Sequence, residues 1–252
     1  MEYYWLYLLV FFVGLSLLYE ILRRSEKWDW LVFLALPIIL APVWMDKGIH
    51  DSFTWVKLYS VVAGVLLIMF IRFTQSYRKT LLSQLFVAVV AINILEACFA
   101  AFMSLKLAFI LNSIAGIFLI ITLWQRAKGE VSDSKTHDLL FLGIDWYWII
   151  AYTIWNLGFV LLLYPGAIFK HIAILLVPVA FEFYQKGSWL QARTYSLGIY
   201  LILIFSFGSF LSLPNLGYLA FTKFAFGLSL LGFLAAGAYL VYSLKYSSKK
   251  RP

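Results

Sequence analysis

Cysteine is nearly absent: Cys98 stands alone, which excludes an internal disulfide and any multi-cysteine metal site. Histidine is almost as scarce, and His50, His137 and His171 fall in loops or at span starts. Charged residues make up 13% of the chain, against roughly 25% in an average soluble domain. A phosphate-binding P-loop, a His-Glu-x-x-His pair and a Gly-x-Ser-x-Gly elbow are also missing. No cofactor, no metal and no enzymatic activity are expected. The first apolar stretch has neither a basic n-region nor a small-residue cleavage site, so it is expected to stay as a span and not to be cut off as a signal peptide.

Apolar residues are what the chain does have, at 63%, with 19% aromatic and ten Trp. A soluble core of 252 residues cannot bury that much apolar surface, so the lipid bilayer is the expected solvent. Indole and phenol rings suit the many membrane–water interfaces such a chain would have. With about 20 apolar residues needed per helical span, the runs predict an all-α polytopic membrane bundle, a single integral membrane domain over residues 1–252. About nine spans are read, near 3–22, 30–45, 54–71, 81–103, 105–124, 139–164, 168–185, 192–213 and 217–243. Residues 81–124 are too long for one span, and Ser104-Leu105-Lys106 is the polar turn expected to divide them. The longest loop, Gln125–Asp138, carries both charge signs and reads as a solvated connector.

The basic residues orient the bundle. With the amino terminus outside, Arg23, Arg24, Lys27, Arg72, Arg78, Lys79, Arg126, Lys128, Lys135, Lys186, Arg193, Lys245, Lys249, Lys250 and Arg251 fall inside. Lys47, Lys57, Lys106, Lys170 and Lys223 fall outside. Fifteen against five is the asymmetry of the positive-inside rule. The net charge of +8 is thus an orientation signal, and no nucleic-acid partner is expected. On this topology His137 faces the opposite side from His50 and His171, so no three-histidine site forms.

The two halves share an order of features. Glu2-Tyr3-Tyr4-Trp5 answers Asp145-Trp146-Tyr147-Trp148, Leu36-Pro37 answers Val177-Pro178, and the Trp55–Ser60 stretch answers Trp189–Ser196. Such an order suggests an inverted 4+1+4 repeat, with halves 1–104 and 139–245 about a linking helix 105–124. Inverted repeats are common in secondary transporters. Aromatics and prolines at span starts also recur without repetition in a membrane protein this rich in both.

Ionisable groups at bilayer depth cost about 2.5–3.5 kcal/mol each, so they usually face a bundle interior or water. Asp145, Trp148, Tyr152 and Asn156 share one helical face at i, i+3, i+7 and i+11. They could line a passage, or bond neighbouring helices as a buried stripe. Asn93 and Glu96 lie one turn apart in an apolar span, and Glu96 is a candidate proton carrier or a protonated interhelical bond. Asn112 and Ser113 precede Ala115-Gly116, the pattern of close helix packing. Lys57 and Arg193 lie one turn inside their spans and either snorkel to the interface or pair with Glu96 or Asp145. Glu20 is placed to pair with Arg23, and Glu182 reads as interfacial.

At Trp55–Ser60 (WVKLYS), Asn93–Ala97 (NILEA), Leu111–Ile117 (LNSIAGI), Asp145–Tyr152 (DWYWIIAY) with Trp155-Asn156, and Trp189–Arg193 (WLQAR), the chain resembles the bacterial multi-spanning proteins of domain-of-unknown-function family 5692. The resemblance implies a bacterial cytoplasmic (inner) membrane location, and the split of basic residues puts the carboxyl terminus in the cytoplasm. It also implies that Asn93, Glu96, Asn112, Asp145, Asn156 and Arg193 belong to the family pattern. Members of that family carry a longer connection between spans four and five than the short hairpin around Lys106. The family carries no activity to transfer. The expected function is a transporter or channel-like protein for a small solute or ion, with Glu96 and Asp145 carrying a proton or cation. The other reading is a non-transporting sensor, scaffold or complex subunit.

Overall fold

The computed structural model describes the backbone of residues 2–49, 52–74, 79–208 and 218–249, and the side chains of 5–49, 54–74, 80–208 and 224–245. His50, Arg78, Lys250 and Arg251 lie outside the described residues, as do the side chains of Lys79, Lys223 and Lys249. The chain runs α1 (Glu2–Arg24), α2 (Glu26–Trp30), a π-helical stretch (Leu31–Ala35), α3 (Leu36–Asp46), α4 (Ser52–Phe73), α5 (Lys79–Phe102) and α6 (Leu107–Arg126). A small antiparallel hairpin of β1 (Glu130–Val131) and β2 (Leu139–Leu140) follows. Then come α7 (Trp146–Leu163), a 3-10 turn (Pro165–Ala167), α8 (Ile168–Tyr184), α9 (Trp189–Phe207) and α10 (Tyr218–Lys249). Among the described residues nine helical segments are long and apolar enough to cross a membrane, as the hydropathy runs predict.

The fourth and fifth spans divide where the polar turn was expected. α5 ends at Phe102, and a tight turn through Leu105, at φ 52°, leads into α6 at Leu107. The sixth span is shorter than its apolar run suggests, starting at Trp146 and not at 139. Leu139 and Leu140 are drawn into the hairpin, and Asp145 ends the turn that follows by accepting a hydrogen bond from the Trp148 amide (3.1 Å). The second span is continuous but irregular: its π stretch directly precedes Pro37, and Pro42 lies further along α3. Proline lacks an N–H and clashes with the carbonyl four residues earlier. Widening the preceding turn into a π bulge relieves that clash.

The chain forms two compact units. The first comprises Met1–Val89, Lys128–Leu142 and Ala173–Ser212. Within it α9 is the centre, contacted by α1, α3, α4 and β2. Phe33 projects from the π stretch onto the Tyr195 ring, with centroids 5.3 Å apart. Gly198 leaves room for it, since a Cβ there would lie 2.9 Å from the Phe33 ring. The second unit comprises Val90–Ala127, Gly143–Ile172 and Leu213–Pro252, and its core is α6, α7 and α10 packed on one another.

In the second unit the chain leaves the end of α6 and returns to begin α7 at Gly143, where a Cβ would stand 2.1 Å from the Arg126 carbonyl oxygen. Backbone cannot yield there as a side-chain tip could. Gly143→Ala is expected to destabilise the protein by about 1–3 kcal/mol, the usual cost of overpacking. Gly14→Ala, with nothing within 4 Å of its Cβ, is the control. Thermal unfolding in detergent should show a lowered Tm for the first and none for the second.

Candidate functional site

At the end of the first unit where α1 and α4 terminate, charged residues converge out of solvent. Each helix closes with a basic residue, Arg23 in α1 and Arg72 in α4, which suits the negative end of a helix dipole. α2 begins beside them and brings in Asp29. Arg72 and Asp29 have fully shielded side chains and form an ion pair at 3.2 Å. Tyr195 of α9 completes a triangle, donating to Asp29 Oδ2 at 2.8 Å while accepting from Arg72 Nη1 at 2.7 Å. The second guanidinium nitrogen of Arg72 donates to the Arg23 carbonyl and, at 2.8 Å, to the Thr136 carbonyl. Among the described residues Asp29 Oδ1 accepts no hydrogen bond.

A second cluster continues from the first. The loop read as a solvated connector keeps Lys128, Glu130, Asp133, Lys135 and His137 exposed, but its end is folded back. Its hairpin and the turn before α9 are joined by the Phe141 amide donating to the Gly187 carbonyl (2.8 Å). Asp138 is thereby carried to 1% exposure. The cause is satisfaction of polar groups: Gln191 Oε1 accepts from the Leu139 amide (2.7 Å), while its Nε2 donates to Asp138 Oδ1 (2.8 Å) and Tyr19 Oη (3.1 Å). Thr136 Oγ1 donates to Asp138 Oδ2 at 2.5 Å. Arg23 approaches the same oxygen at 3.4 Å, pairs with Glu20 at 3.3 Å, and lies over the rings of Phe181 and Tyr184. Glu182 caps the turn into α9, accepting from the amides of Gly187 and Trp189 at 2.9–3.0 Å.

The residues singled out from sequence fall elsewhere. Lys57 is half-buried near the start of α4, and Arg193 is buried near the start of α9. These starts lie at opposite ends of the first unit, because α4 carries Arg72 to the α9 start in its last turn. In the second unit Asn112 and Trp155 bond reciprocally, amide nitrogen to Trp155 carbonyl (3.0 Å) and indole to Asn112 carbonyl (2.9 Å). Gly116 permits the approach, since a Cβ there would stand 2.2 Å from Cys98 Sγ. This is the close packing expected of the Asn112–Gly116 segment. Trp148 stacks on Tyr152 (5.3 Å) and donates its indole N–H to Thr122 Oγ1 (3.1 Å).

Asp145 is the N-cap of α7 and accepts from Tyr239 Oη at 3.1 Å. Asn156 is buried, and its Oδ1 accepts no hydrogen bond among the described residues. Asn93 and Glu96 are half-buried in α5. Cys98, two residues from Glu96, is level with Ser113, whose hydroxyl donates to its carbonyl (2.8 Å). Asp145 lies by contrast near the far end of α6, where Gly143 meets Arg126. The stretch of α6 from Ser113 to Arg126 separates the two carboxylates by about 20 Å at 1.5 Å per residue. Glu96 and Asp145 are not brought together.

Sequence reasoning assigned no site role to Asp29, Arg72, Tyr195, Gln191 or Asp138. Acids at an otherwise basic end, Asp29 and Asp138 among them, were the available signal. Among the described residues no three His, Cys, Asp or Glu side chains gather to hold a metal ion.

Breaking a buried ion pair from one side costs about 3–5 kcal/mol, whereas replacing both partners by apolar groups is often neutral. Arg72→Met alone is therefore expected to lower thermal stability strongly. Asp29→Leu combined with Arg72→Met should restore most of the loss. A double-mutant cycle by thermal unfolding reads the coupling, and additive losses would show that the pair is not the buried contact described.

No curated protein and no solved structure matches the chain. A family model, described as a family of unknown function (DUF5692), matches residues 1–251. With nearly its whole length covered, the chain belongs to that family.

Proposed function

We propose that the protein is a transporter or channel-like protein for a small solute or ion, in which Asp29, Arg72 and Tyr195 form a charge-operated gate. One observation carries this reading: an aspartate and an arginine sit with fully shielded side chains at the adjoining ends of two membrane-spanning segments. A buried ion pair is weak evidence for stability, because desolvation offsets its attraction. Ionisable residues in spans characteristically mark ion and substrate pathways. A proton or cation at the unpartnered Asp29 Oδ1 neutralises the carboxylate and weakens its hold on Arg72, which loosens α2 from α4. The π stretch immediately after Asp29 is a place where the second span can flex, since such turns recur at functional sites.

Glu96 is a second carboxylate proposed to carry a proton or cation, with Asn93 and Asn156 as polar lining. Lys57 and Arg193 are retained as pathway candidates, and Asp145, Trp148, Tyr152 and Asn112 as groups that hold the second unit in shape. A bacterial inner-membrane location, the outside amino terminus and the inverted repeat belong to the same proposal. The fifteen-to-five split of basic residues supports the orientation. No enzymatic step is proposed. A non-transporting role, as a sensor or complex subunit, is favoured by one different observation. In the second unit Asn112, Thr122, Trp148 and Asp145 direct polar groups to protein partners.

Reconstituted vesicles enclosing a pH-sensitive dye separate the two. Under an imposed potential, with Na⁺ or K⁺ as the alternative ion, the native protein is expected to pass protons or cations above protein-free vesicles. Asp29→Asn should reduce that flux at least tenfold while the protein still elutes as a folded species. A native flux equal to that of empty vesicles for every ion would favour the non-transporting role.

A further inference from the structure

A groove on the membrane-facing side of the first unit has a length, a lining and a charged end that suit one kind of occupant. α1 packs against α2 and α9, and α3 packs against α9. Between α1 and the second span a pocket of about 650 Å³ is left open, floored by α9. That volume lies within the range of ligand sites, about 300–1,000 Å³. Its walls are almost wholly apolar: Leu18 and Leu22 on one side, Leu36 and Leu40 on the other, Ile202 beneath.

The groove extends from Trp28, beside the Ser25 junction, to Lys47 at the other end of the span. Those residues are about 28 Å apart at the helical rise, close to the roughly 30 Å hydrocarbon depth of a bilayer. A single extended methylene chain, about 4–5 Å across by van der Waals contact, can lie along such an apolar wall from end to end.

The polar groups of the groove gather at the Lys47 end. Lys47 donates one N–H to the Ser206 carbonyl at 2.6 Å, and Ser206 Oγ accepts from the Trp44 indole at 3.2 Å. An ammonium has three donors, so two remain at this exposed mouth to meet an anionic oxygen. Trp44 and Trp55 flank it, in the interfacial position such rings favour. The neighbouring Asp46 is exposed as well, which tempers the positive charge and suits a head that carries its own ammonium.

We infer that this groove is a specific site for one glycerophospholipid, with an acyl chain laid along Leu40, Leu36 and Leu22 and the phosphodiester on Lys47. The site is independent of the gate proposed above. In the bilayer its occupant is always at hand, so the site is filled in the resting protein.

Phospholipid retained after exhaustive washing in detergent, measured per chain by mass spectrometry, tests the site. With phosphatidylethanolamine as the probe, the native protein should retain about one molecule. Leu36→Trp fills the groove and should lower retention at least fivefold, and Lys47→Gln should lower it severalfold. Leu231→Trp, on an exposed apolar face of α10, should leave it unchanged. If Leu36→Trp does not fold, Leu18→Trp on the facing wall replaces it. Full retention in a folded groove-filling variant would overturn the site, and so would equal loss in Leu231→Trp. Competition by inorganic phosphate without loss of the groove's effect would show a surface anion site in its place, and would also overturn it.

Discussion

One guanidinium holds the first unit together. Arg72 reaches Asp29 of α2, Tyr195 of α9, the Arg23 carbonyl of α1 and the Thr136 carbonyl of the hairpin loop. No other type of side chain offers five donors in a rigid planar fork that stays charged at any working pH. A lysine in its place would make a point contact and leave most of these acceptors unmet. Buried polar groups without partners are costly, so each segment that meets Arg72 is constrained to arrive at the same place. The aromatic rings of Tyr19, Phe33 and Tyr195 pack edge to face around this point, and they keep water from it.

The second unit solves the same problem differently. Its helices approach through small residues, and polar groups are spent in pairs between neighbouring helices, as with Asn112 and Trp155. Apart from Glu96 in α5, the charges described above lie at its edge, where Asp145 caps α7 and Arg126 lies over Tyr239 and Tyr242. One unit thus carries net charges in its interior and the other chiefly neutral hydrogen bonds. The contrast is why the gate is placed in the first.

The spans were legible because about 20 apolar residues in succession have few alternatives to crossing a bilayer. The turn at Ser104 was legible because an uninterrupted run of that length fits no single span. The Gln125–Asp138 loop was read correctly over its exposed charges but not at Asp138, since a mixed-charge stretch looks the same whether its end is solvated or folded onto helix ends. Asp145 looked intramembrane because aromatics follow it directly. Its position just ahead of a helical apolar run is equally the mark of an N-cap, and that is the role it plays. Arg72 and Asp29 were hidden by the orientation signal. A basic residue at a span end satisfies the positive-inside rule with or without a partner, and only the folded chain brings Asp29 within 3.2 Å of it.

The hairpin loop has a consequence for how the chain is made. Asp138 is satisfied by Arg23, Thr136 and Gln191, so its partners are separated by most of the sequence. As the chain emerges from the ribosome, Arg72 and Asp29 can find each other once the third span is in place. Asp138 must then wait, exposed, for α9 to be synthesised and inserted before Gln191 closes over it. Burial of the charges is therefore a late event in biogenesis. A chain stalled before its eighth span would display Asp138 without Gln191, and Arg72 without Tyr195, to the membrane quality-control machinery.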